Sequence, residues 1–126
     1  MNISKIEKFM ENRAPGDIGK RKNCSVLIPL VEIDGKLHVL CEQRSTKIKT
    51  QPGDVCFPGG VMEKGETPIE CALRETEEEI GISQDKIKVL GQFDSLFEVR
   101  NITMHTVIGV IEEETLKDIK INEDEV

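Results

Sequence analysis

Glu75, Glu78 and Glu79 are the residues in this chain whose type and spacing most clearly suggest chemistry. On a helix they lie three and four positions apart, so their carboxylates share one face. Three carboxylates that close repel one another unless a cation sits among them, and hard oxygen ligands at that density suit Mg2+ or Mn2+. A glycine-rich loop starting at Gly60 runs into this segment, an arrangement that can hold divalent cations against a phosphate chain. The plainer reading is a solvated helix face, because glutamate runs are common on surfaces.

The helix that must position these acids has its own signals. Thr67 with Glu70 three residues later forms a capping box, and Pro68 falls at the first helical position, where a missing N–H costs nothing. Gly81 stops the helix as a C′ glycine. The pattern predicts a helix from Pro68 to Ile80 with Ile69, Leu73, Thr76 and Ile80 as its buried stripe and the three glutamates on the opposite face.

Residues 60–82 resemble the Nudix box, G-x5-E-x7-R-E-U-x-E-E-x-G-U, where U is a bulky aliphatic residue. Gly60, Glu66, Arg74, Glu75, Glu78, Glu79, Gly81 and Ile82 match at the right spacing; Thr76 stands at the first U. The resemblance implies a metal-dependent diphosphate hydrolase in which Glu75, Glu78, Glu79 and the Gly60 carbonyl ligate metal. Water would attack phosphorus, the metals lowering its pKa and neutralising developing charge. Arg74 is then placed to orient a ligand carboxylate or to pair with Glu66. For the general base the family uses either a box glutamate or one on a later loop; Glu78, Glu79 and, outside the box, Glu98 are the candidates.

A second motif precedes the first. Arg44-Ser45, Gly53 and Phe57-Pro58-Gly59-Gly60 resemble the R-S-x3-R-x3-G-x3-F-P-G-G signature of coenzyme A pyrophosphatases. Lys49 replaces the second arginine, keeping the charge but losing the bidentate fork. That resemblance implies cleavage of coenzyme A or its derivatives to 3′,5′-ADP and 4′-phosphopantetheine. Arg44, Ser45, Lys49, Gly59 and Gly60 would bind the substrate, with Phe57 in the core. Marks of other Nudix specificities are missing: the chain has no tyrosine or tryptophan. Two rivals stay open, a hydrolase of another nucleoside diphosphate derivative and a non-catalytic nucleotide-binding Nudix module.

Composition bounds these readings. With 126 residues the chain reads as a single domain, residues 1–126. Residues 1–50 carry 10 Lys/Arg against 6 Asp/Glu and residues 51–126 carry 7 against 18, giving the net −7. A basic front half beside an acidic helix suits an anionic ligand bridged to metal, and the acidic whole argues against nucleic acid as partner. No apolar stretch approaches the ~20 residues of a membrane span. The N-terminus lacks a signal-peptide pattern, so the expected setting is cytoplasmic. A homodimer is compatible with the sequence. The four cysteines, Cys24, Cys41, Cys56 and Cys71, form no C-x-x-C pair and read as core or near-core thiols.

Around the motifs, an amphipathic helix is expected over residues 1–10 with Ile3, Ile6, Phe9 and Met10 inward, then a loop over 13–22. Residues 24–33 read as a buried strand in which Pro29 suggests an edge position or a bulge. Asp34-Gly35 signals a hairpin to a strand over 36–43, followed by a long functional loop over 44–60. Further strands are expected over 86–93 and 102–111, with a short strand or helical turn over 116–121. His38 and His105 read as strand residues outside the chemistry. The fold class is α/β. The resemblance implies an α/β/α sandwich with a mixed sheet and the box as a loop–helix–loop. It also implies another strand and a helix after Val126, so the chain reads as C-terminally short.

Overall fold

Two apolar, β-branched runs form the middle of the sheet, as their alternation requires. The computed structural model describes residues 2–11, 13–14 and 21–126. The elements in chain order are α1 (Ile3–Glu11), β1 (Lys22–Ile33), β2 (Lys36–Val39), β3 (Glu42–Gln43), β4 (Val55–Cys56), β5 (Gly59–Val61), α2 (Pro68–Ile80), β6 (Ile87–Gln92), β7 (Leu96–Glu98) and β8 (Ile102–Ile111). Short 3-10 helices cover Gln84–Lys86 and Glu113–Asp118. On β1, Ser25, Leu27, Pro29 and Val31 alternate onto one buried face, and on β8, Val107, Gly109 and Ile111 do the same.

The sheet runs β2-β1-β8-β6, with β5 beside β1 and β7 beside β8. β1 and β8 are parallel, from Lys22 opposite Ile102 to Leu30 opposite Val110, and every other pair is antiparallel. The α/β architecture with a mixed sheet is therefore as expected. The hairpin forms at Asp34-Gly35, both with positive φ (51° and 72°). The 44–60 segment is largely loop, broken by β4, which pairs β3 in a two-stranded sheet of its own. The helical alternative is realised near the end of the chain, over Glu113–Asp118. α2 packs on the sheet, and Leu27, Val31, Ala72, Ile80, Ile82, Ile87, Val107 and Ile111 make the core. Truncating one of these, Leu27→Ala for instance, costs about 3 kcal/mol.

Two expectations need correction. Pro29 is on a central strand, not an edge. Leu27 donates to the Pro58 carbonyl (2.9 Å) and Pro29 accepts from Leu40 N–H (3.0 Å), so this side of β1 changes partner at the proline. A missing N–H is tolerated where one partner has ended and the next begins. The helix α1 forms, but Ile3, Ile6, Phe9 and Met10 are exposed, and α1 buries no residue. Amphipathic spacing records a face, and nothing in the described part of the chain covers this one. Most of the expected 13–22 loop lies outside the described residues. No helix among them is long and apolar enough to cross a membrane. Cys24 and Cys71 are buried, Cys56 is half-buried and Cys41 is exposed, all as free thiols.

Candidate active site

The loop before α2 and the start of α2 hold each other rigid. Thr67 Oγ1 accepts from Glu70 N–H (3.2 Å), while Glu70 Oε1 accepts from Thr67 N–H (3.3 Å), which completes the capping box. At the other end Gly81 takes φ 75° and donates to the Glu77 carbonyl. Thr76, at an aliphatic position of the motif, is buried and turns its hydroxyl back onto the Ala72 carbonyl (2.6 Å), so its polar atom is satisfied.

Arg74 is the hub of one acidic group. Its guanidinium forks onto Glu66 (Nε–Oε2 2.7 Å, Nη2–Oε1 3.0 Å) and also reaches Glu75 (3.0 Å), Glu78 (3.3 Å) and the Val61 carbonyl (3.3 Å). Arg74 holds the Glu66 carboxyl down at about 2, and Glu66, followed by its other acidic neighbours, raises the guanidinium in return. The expected pairing of Arg74 with Glu66, and its orienting contact to Glu75, are both present.

A second acidic group touches Arg74 only through Glu75. One carboxylate oxygen from each of Glu75, Glu79 and Glu125 lies within 4.8 Å of the other two. Glu79 faces inward rather than away from the core: it is 4% exposed, and its Oε1 accepts from Gly59 N–H (3.1 Å). The fully buried face of α2 runs through Cys71, Ala72, Thr76, Glu79 and Ile80, with Ile69 and Leu73 half-buried beside it. Burial pushes the Glu79 carboxyl up, and the facing Glu42 adds to this. Burial likewise pushes up Glu75. Glu42 is itself buried, and its Oε2 has no hydrogen-bond partner among the described residues. Glu79 and Glu42 are buried, Glu75 is half-buried and Glu125 is exposed; carboxylates at this density, with one orphaned oxygen on Glu42, fit a hard divalent cation.

Gly60 belongs to the same site. A Cβ there would meet the Glu75 carboxyl carbon at 2.6 Å, so any side chain at this position would push the Glu75 carboxyl aside. Its carbonyl accepts a long bond from Cys71 Sγ (3.5 Å). The tail delivers Glu125: Lys120 and Asn122 N–H groups bond the Ile80 and Glu79 carbonyls (2.8 and 2.9 Å), and the Glu125 carbonyl accepts from Ser45 N–H (2.9 Å). The tail thus closes the end of α2 and ties it to the 44–60 loop.

Of the expected site residues, Glu75, Glu79, Gly59, Gly60 and Arg44 line one cavity of about 300 Å3, together with Glu125. Glu78 is half-exposed and turned to Arg74, outside the three-carboxylate cluster. Ser45 contributes its N–H to the tail, and Lys49 is exposed. Glu98 is ion-paired with Arg100 (2.8 Å). His105 bonds Asn23 and Ser95 between strands. Phe57 is half-buried in the wall of a larger groove, of about 680 Å3, rather than in the core. Glu42 and Glu125 were missed. Glu42 left one signal, an acid directly after the apolar run Val39-Leu40-Cys41; Glu125 in an acidic tail left none.

The chain is similar to known Nudix proteins. The NUDIX domain model matches residues 21–126. Nudix hydrolase 3 of Caenorhabditis elegans is 39% identical over 99% of this chain and 53% of its own length. The mouse peroxisomal coenzyme A diphosphatase NUDT7 is 35% identical over 70% of this chain and 38% of its own length. The chain spans about half, or less, of the length of these curated relatives. Among solved structures, a MutT/nudix family protein from Enterococcus faecalis covers 99% of this chain and 49% of its own, with TM-score 0.65 and 23% identity. The Caenorhabditis elegans Ap4A hydrolase covers 85% and 79%, with TM-score 0.66 and 18% identity, a likeness of fold alone.

Proposed function

The chain belongs to the Nudix hydrolase family, whose members use divalent cations on nucleoside diphosphate derivatives, and we propose that it cleaves the diphosphate of coenzyme A or a derivative to 3′,5′-ADP and 4′-phosphopantetheine. The observation that carries this reading is that residues of both motifs line one cavity: Glu75 and Glu79 from the helix, and Arg44, Gly59 and Gly60 from the preceding segment, with Glu125 beside them. The curated coenzyme A diphosphatases among the relatives support it.

Glu75, Glu79 and Glu125 would hold Mg2+ or Mn2+, with the Gly60 carbonyl beside them. When bound, the cation supplies charge neutralisation at the phosphoryl oxygens and a lowered pKa for water. The chain's own residues do the positioning. Arg74 aims Glu75 and Glu78 along the helix face. Gly59 N–H fixes the Glu79 rotamer. Arg44, tied through its Nε to the Thr50 carbonyl (3.1 Å), presents charge to the diphosphate from the loop side. Glu125 is the carboxylate that the chain outside the helix adds to this cluster. It lies within 4.8 Å of Glu75 and Glu79, whereas Glu98 is occupied by Arg100. Ser45 and Lys49 serve the loop and its charge. Four unpaired thiols suit the cytoplasmic setting included in this reading.

The test is chromatography of products after incubation with coenzyme A and Mg2+ or Mn2+, with ADP-ribose, NADH and a nucleoside triphosphate alongside and Glu79→Gln as blank. Selective appearance of 3′,5′-ADP is the expected result. Preferential cleavage of another diphosphate would retain the carboxylate site and discard the loop argument, while binding without cleavage of any substrate would favour a nucleotide-binding module.

A further inference from the structure

The larger groove continues the catalytic cavity, sharing Arg44, Gly59 and Gly60 with it. At its far end lie Lys22 and Arg100. Both reach this groove because β1 and β8 run parallel: Lys22 is the register partner of Ile102, and its N–H donates to the Asn101 carbonyl (3.1 Å) at the β7–β8 turn. Lys22 stands three residues before Ser25, the register partner of Gly60, so the cationic end lies about 10 Å along β1 from the diphosphate loop.

The charge balance of this groove is opposite to that of the molecule. Its lining holds Lys22, Arg44 and Arg100 against a single acid, Asp54, in a chain of net −7. Lys22 has no ion pair among the described residues. Arg100 gives one N–H to Glu98 (2.8 Å) and keeps donors of its fork for another acceptor. Between the two ends the wall is apolar, formed by Cys24, Val26, Val61 and Met104. The charges felt at the Cys24 thiol are Lys22, Glu98 and Arg100 from one end and Glu75 from the other, in keeping with a strand that links the two.

We propose that Lys22 and Arg100 form a subsite for a phosphate monoester carried on the nucleoside side of the substrate, away from the diphosphate that is cut. The inference rests on the diphosphatase reading for the position of the diphosphate at Gly59–Gly60. A separation of about 10 Å is on the scale of one sugar with its phosphate. An ammonium beside a guanidinium suits a dianion better than a neutral ribose, because both bonds are charge-assisted. The subsite discriminates nucleotides with an extra phosphate from those without one.

The experiment is calorimetric binding of adenosine 3′,5′-bisphosphate and of AMP to the full chain and to Lys22→Ala and Arg100→Ala, with coenzyme A turnover measured in parallel. The bisphosphate should bind the parent about tenfold tighter than AMP, and each variant should lose most of that advantage while binding AMP as before. Equal binding of the two nucleotides by the parent, or an advantage that survives in both variants, overturns the subsite. An equal loss for both nucleotides in a variant also overturns it, since that marks a general fault in the groove. Turnover separates the two claims. A bisphosphate advantage without coenzyme A cleavage sinks the substrate assignment and leaves the subsite standing, and cleavage without the advantage does the reverse.

Discussion

Two acidic groups meet at α2, and they differ in what balances them. Glu66 and Glu78 are balanced within the protein: Arg74 reaches both, and Glu66 is held far below the usual carboxylate range. Glu79, Glu42 and Glu125 have no such cation, and Glu75 stands between the groups, touching Arg74 while facing the cluster. Burial raises Glu79 and Glu42, and it outweighs the groups that act to lower them. On the proposed reading, the unbalanced group is where a cation would sit. A carboxylate neutralised internally orders the fold; a buried carboxylate left unneutralised stores a cost that an incoming cation removes.

The largest effect should come from breaking the unbalanced group. Glu79→Gln should lower kcat by about 1000-fold, and titration calorimetry should show weakened Mg2+ binding while the fold survives. Turnover at the parental rate would remove Glu79 from the site. Breaking the balanced group should do the opposite. Arg74→Ala leaves partly buried carboxylates facing one another and should cost about 2–3 kcal/mol in denaturant unfolding, with activity falling as Glu75 loses its alignment.

The pH dependence should sharpen the contrast. Stability rises with pH wherever the unfolded chain binds more protons than the folded one. Glu66 is lowered, so its contribution is present above the ordinary carboxyl range and is lost as pH falls through about 2. Glu79 is raised, so the folded metal-free protein holds the extra proton. Its stability should fall as pH climbs from the ordinary carboxyl range towards the raised value. Metal affinity should rise over the same interval, because the cation displaces that proton. Unfolding curves at pH 5 and pH 8, with and without Mg2+, read both signs, and Glu42→Gln should flatten the metal-free slope. The smallest effects belong to residues outside the cavity. Lys49→Ala and Glu98→Gln should each change kcat/KM by less than about threefold, and a loss comparable to that of Glu79→Gln would return Glu98 to the role of base.

Local order was the legible part. Thr67, Pro68, Glu70 and Gly81 bracket α2 by interactions that act within a few residues, so the helix follows from the chain alone. Asp34-Gly35 and the alternation of β8 are equally short-ranged signals. Pro29 was misread because its tolerance depends on β5 handing over to β2, an event between strands distant in the chain. The apolar face of α1 was legible as a face, while its exposure was not, because burial needs a partner surface and spacing carries no information about one.

The same division runs through the site. Sequence by itself determined the carboxylate helix, its caps, the glycine loop and the cations of the 44–60 segment, because each is set by contacts within about one turn or by residue type. Only the tertiary structure decided which acids meet. Burial turned Glu79 inward, Arg74 drew Glu78 aside, and the tail hydrogen-bonded to the end of α2 brought Glu125 across 46 positions of chain to Glu79. Such a meeting depends on how sheet, helix and tail close on one another in space, a relation that no local spacing in the chain encodes.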